Sequence, residues 1–115
     1  MRIQTTARHC TIAEPVRAHA EERVLRLLRF ERRLEAAELI FENDSGLCHV
    51  EVRLAVARQP LMVAHGTGPD FRTALDRAVA RAARQLKRRH DRRHDHQAPK
   101  PPEAPAPPGQ PRVTT

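Results

Sequence analysis

The chain has 115 residues, with 21 Lys or Arg against 14 Asp or Glu and a formal net charge of +7. That length fits one domain, and with no run of 18 apolar residues and no signal-type leader the expectation is a soluble, cytoplasmic protein without a membrane span. Cys10 and Cys48 lie far apart without CxxC spacing, so free thiols are expected rather than a disulfide framework or a zinc site.

In chain order, residues 2–6 are short and partly alternating and predict a first strand. Residues 14–30 carry helical periodicity, with Val16, Ala20, Val24 and Leu27 on one face. Thr11 and Glu14 have capping-box spacing, and Pro15 suits a first helical turn. Residues 36–42 predict a second strand, and Asn43-Asp44-Ser45-Gly46 signals a turn. Residues 48–57 alternate cleanly: Val50, Val52, Leu54 and Val56 point one way, Glu51 and Arg53 the other. After the break at Gln59-Pro60, residues 61–65 predict a last strand, ended by Gly66-Thr67-Gly68-Pro69.

Asp70 is a good N-cap for a long second helix over 70–93. Phe71, Leu75, Ala78, Val79, Ala82 and Leu86 form its apolar face. The order β-α-β-β-β-α implies a parallel crossover followed by an antiparallel meander. The fold expected is α+β, a four-stranded mixed sheet with two helices on one face. Residues 1–96 make the domain, and 97–115 read as a solvated tail, with seven prolines between 97 and 111.

The second helix also carries the main charge signal. Arg77, Arg81, Arg84 and Arg88 fall within about 60° of one another around the axis. No acid occurs from Arg77 to Lys87, whereas a merely solvated helix alternates signs. A row of cations on a docked helix suits a rigid polyanion, above all nucleic acid. Nineteen of the 21 basic residues are Arg, whose planar fork fits phosphate. A GC-rich genome also enriches Arg, so the clustering carries the inference and the ratio does not. Glu31, Glu35, Glu38, Glu42, Asp44 and Glu51 crowd the middle third, so an acidic pole is expected around the second and third strands.

Catalytic and metal readings are weak. Gly66-Thr67-Gly68 is too short for a phosphate loop and lacks its Lys. His9 and Cys10 are neighbours on a strand and point apart, so they make no dyad. His90 and His94 have chelating spacing, but the surrounding Arg residues oppose a divalent cation. Asp70 reads as a cap, and Asp76 as an early-turn acid favoured by the helix dipole. The only aromatics are Phe30, Phe41 and Phe71, too few for a base-stacking surface. Recognition is expected to rest on phosphates and shape, with no enzyme activity and no cofactor.

The segments IQTTARHCTIAEPVRAHAEERVLRLLRF, HVEVRLAV and DFRTALDRAVARAARQLKRRH together resemble the ribosome hibernation-promoting factor and protein Y family across residues 2–90. The resemblance implies the same β-α-β-β-β-α fold and a non-enzymatic factor that binds the small ribosomal subunit between head and body. There it would compete with messenger and transfer RNA and block translation under stress or in stationary phase. The implied ribosomal RNA contacts are Arg81, Arg84, Lys87 and Arg88 on the second helix, Arg23 and Arg26 on the first, and Arg8 and His9 after the first strand. The row itself adds Arg77. The family's usual Gly, Thr-Pro and Tyr are replaced by Ala7, Ala13-Glu14 and Arg72. The length is closer to short members, and the protein is expected to be monomeric off the ribosome. The alternative is a stand-alone binder of double-stranded RNA or a nucleoid-type protein.

Overall fold

The structure, a computed structural model, describes residues 1–97, with side chains to Arg92. Its elements are β1 (Arg2–Arg8), α1 (Glu14–Leu25), β2 (Leu34–Asp44), β3 (Leu47–Val56), β4 (Met62–Gly68) and α2 (Phe71–Gln97), with a 3-10 turn over Arg26–Arg29. They form one four-stranded sheet in the order β1-β2-β3-β4. β1 runs parallel to β2 from Arg2 opposite Ala36 to Arg8 opposite Glu42. β2–β3 and β3–β4 pair antiparallel. The expected mixed sheet and element order are what the structure contains.

Alternation sets the two faces of the sheet. Leu39, Phe41, Val50, Val52, Leu54, Met62 and Ala64 point to the helical side and are buried. There they join Ala74, Leu75, Ala78, Ala82 and Leu86 of α2, and Ala20 and Val24 of α1, in one core. Phe41 meets Phe71 edge-on, with ring centroids 5.5 Å apart at 78°. Ser45 (φ +54°) and Gly46 (φ +85°) close the β2–β3 hairpin as a two-residue turn. Two positive φ values match the right-handed strand twist. The Asn43 side chain accepts the Gly46 N–H at 3.2 Å.

Several boundaries differ from the sequence reading. β1 continues to Arg8, because its parallel ladder with β2 does not need apolar alternation to persist. The first helix does not run to residue 30; after Leu25 it tightens into the 3-10 turn, which buries Leu27. The Thr11/Glu14 capping box does not form: Ala13 is the N-cap and makes no side-chain bond, and Pro15 alone marks the start. β4 continues through Gly66 and Gly68, whose missing side chains admit α2 instead of ending the strand. Glu31 does not join an acidic surface. It is 5% exposed and accepts the Arg33 N–H at 3.1 Å in the turn before β2.

The tail expected from residue 97 lies, from 98 onward, outside the described residues, as do the side chains of His94 and His96. No helix among the described residues is long and apolar enough to cross a membrane.

Candidate nucleic-acid interface

Local chemistry fixes where α2 begins. The Asp70 carboxylate accepts the Thr73 N–H at 2.7 Å and the Thr73 hydroxyl at 3.1 Å. The hydrogen bond from the Thr73 N–H is the main reason its carboxyl is held below the usual range. Packing then fixes the rotation. Ala74, Leu75, Ala78, Val79, Ala82 and Leu86 are all buried, so Arg77, Arg81, Arg84, Lys87 and Arg88 are turned out to solvent.

Side chains on the flank of α2 hold the free edge of β4. Arg77 donates to the Thr67 carbonyl at 2.8 Å, Gln85 to Val63 at 3.4 Å, and Arg89 to Pro60 at 3.0 Å. The first two bonds satisfy carbonyls that an edge strand otherwise leaves open, and the third holds the segment before β4. Arg77 is therefore partly committed to the scaffold. Among the described residues, no carboxylate lies within ion-pair distance of Arg81, Arg84, Lys87 or Arg88. They are the free cations of the row.

The first helix contributes differently. Arg23 lies 3.7 Å from Asp76 of α2, and Arg26 lies 3.7 Å from Glu22 one turn earlier. Both stay partly exposed, but each is paired with a carboxylate. Arg8 belongs to the other side of the molecule. It lines a shallow hollow of about 260 Å³ on the open face of the sheet, with Glu42, Asp44, His49, Glu51 and His65. His9 sits exposed at the end of β1 with φ +56°. The structure thus brings four predicted residues together on α2, ties Arg77 to the strand edge and separates Arg8 from them.

The open sheet face carries its own ionic ladder. Arg53 bridges Glu38, at 3.5 Å, and Glu51, and His65 lies 3.7 Å from Glu51. Its hydrogen bond to Glu51 raises the Arg53 pKa further. The acidic pole expected here is therefore interleaved with cations. Sequence reasoning missed the edge-holding roles of Gln85 and Arg89 and the contacts of Asp76. Steps of four from Arg77 through Arg81 and Gln85 to Arg89 are the signal that could have marked this flank.

Against this geometry, the family model for Sigma 54 modulation protein / S30EA ribosomal protein matches residues 3–94. The chain belongs to that family. Among solved structures, the crystal structure of the Thermus thermophilus Protein Y N-terminal domain is similar at 26% identity and a TM-score of 0.68, over 76% of this chain and 98% of that one. A ribosomal subunit interface protein from Coxiella burnetii aligns at 18% identity and a TM-score of 0.74, over 79% and 99%, and so supports the fold. No match was found among curated proteins.

Proposed function

We propose that this family member is a cytoplasmic, ribosome-associated translation inhibitor that binds small-subunit ribosomal RNA in the channel used by messenger and transfer RNA. The observation that carries this reading is the row Arg81, Arg84, Lys87 and Arg88, free of carboxylates among the described residues and held on a packed helix. A fixed row exchanges its counterions with phosphates and pays little ordering entropy when it does so. With the helices outward, occupancy of the channel excludes messenger and transfer RNA without any chemical step. Arg23 and Arg26 are proposed as additional contacts beside that row, and Arg8 and His9 as contacts made separately from it, Arg8 from the sheet side of the molecule.

The similarity to the Protein Y domain supports a ribosomal partner over a free duplex. The competing reading, a stand-alone binder of double-stranded RNA or nucleoid DNA, draws on the same row, since phosphate spacing alone does not name the polymer. A sucrose gradient with and without the protein, followed by competition with initiator transfer RNA, separates them. Co-migration with small subunits that is lost on adding initiator transfer RNA is the expected result. Equal binding to duplex RNA, unaffected by transfer RNA, overturns it.

A further inference from the structure

Asp76 is out of place on a phosphate-binding helix. It is the only acid between Asp70 and Asp91. A carboxylate beside a cationic row weakens the attraction of that row for a polyanion. Its contacts offer a reason for its presence. Asp76 Oδ1 lies 3.1 Å from His19 Nε2 and 3.7 Å from Arg23 Nε, both on α1. The His19 side chain is 16% exposed and that of Asp76 44%, so the bond is partly buried between the helices.

The apolar grip on α1 is thin. Within the helix only Ala20 and Val24 are buried, with Val16 partly so. Small side chains bury little area, and their attraction is not directional. A hydrogen-bonded carboxylate, by contrast, fixes one angle and one distance.

We infer that Asp76 is a positioning residue: its carboxylate ties His19 and Arg23 to α2 and so sets where the first basic helix stands relative to the arginine row. This rests on the ribosomal reading above, because a folded RNA groove distinguishes one spacing of two basic helices from another and a plain duplex does so less. The net electrostatic cost of Asp76 is then offset by a fixed Arg23.

The test measures binding of the full chain and its variants to purified small subunits and to a random duplex RNA in the same buffer. Asp76→Asn removes a negative charge, so electrostatics alone predicts tighter binding to both. The positioning role predicts the opposite for small subunits, a loss of about two- to fivefold, with duplex binding unchanged or tighter. Asp76→Glu, which keeps the charge, retains more small-subunit binding than Asp76→Asn. In an Arg23→Gln background, Asp76→Asn costs little more, because the group it positions is already gone. Circular dichroism checks that each variant is folded at the assay temperature. If Asp76→Asn is not, His19→Ala replaces it: the formal charge is unchanged, so electrostatics alone predicts unchanged binding, and the positioning role predicts the same loss for small subunits. Small-subunit binding as tight as wild type in these variants, or a loss that adds in full to that of Arg23→Gln, overturns the inference. A wild-type chain that prefers duplex RNA overturns the ribosomal reading instead.

Discussion

At Gly66 the backbone of β4 passes so close under α2 that a Cβ would overlap the Ala74 carbonyl oxygen and come within 2.5 Å of the Ala78 nitrogen. Both obstacles are backbone, which cannot rotate away. Gly66→Ala should therefore push α2 off the sheet and cost about 3 kcal/mol, the upper part of the overpacking range. Urea unfolding measures that cost, and a loss below about 1 kcal/mol would show that the helix gives way easily. Asp70 acts at the same end of α2 by a titratable bond. Its folded pKa is lowered, so it stabilises the protein above the pKa of the unfolded chain, and that contribution fades as pH falls through the lower folded value. Thermal melts of wild type and Asp70→Ala should differ at pH 7 and converge in strong acid. A gap that persists there would mean the cap works without its charge.

The elements differ in how plainly the sequence declares them. α2 was legible because six buried residues at helical spacing leave one rotation, and that rotation also exposes the cationic row. β3 was legible because strict alternation has one reading in a half-buried strand. α1 was harder: with two buried residues, its pattern could not show that the α-helix gives way to a 3-10 turn at Arg26. The glycines of β4 resembled a turn because glycine serves both turns and close approaches. Only the partner helix, distant in sequence, decides between those uses. The same holds for Asp76, whose meaning depends on His19, 57 positions away. Leu86 is the last buried residue of α2 among those whose side chains are described, 1% exposed, and it anchors the helix segment carrying Lys87 and Arg88. Leu86→Ala should cost about 2–5 kcal/mol and weaken RNA binding through loss of that anchor. Chemical denaturation and small-subunit binding on one preparation test both effects, and a variant destabilised without weaker binding would place the contacts nearer Arg81.

At the scale of the whole molecule, charge assigns the two faces different roles. On the open sheet face Arg53 bridges Glu38 and Glu51, whereas the helical face holds cations that no described carboxylate answers. A polyanion should therefore approach helices first, with the sheet as backing, and long-range steering acts in the same direction. Reversing Arg81, Arg84 and Arg88 together to Glu removes six units from the formal net charge of +7. All three side chains are exposed and outside the core, so the variant should fold with nearly wild-type stability. Its small-subunit binding should be lost at moderate salt. If the wild type makes about six to eight phosphate contacts, its affinity falls by about 10³ or more between 50 and 200 mM salt. Neutralising the three residues to Gln instead should reduce the slope of log affinity against log salt by about 3, since each phosphate contact contributes about 0.9. Co-sedimentation across a salt series reads both quantities. A charge-reversed protein that still pellets with small subunits, or a neutralised one with an unchanged slope, would move the interface away from this face of α2.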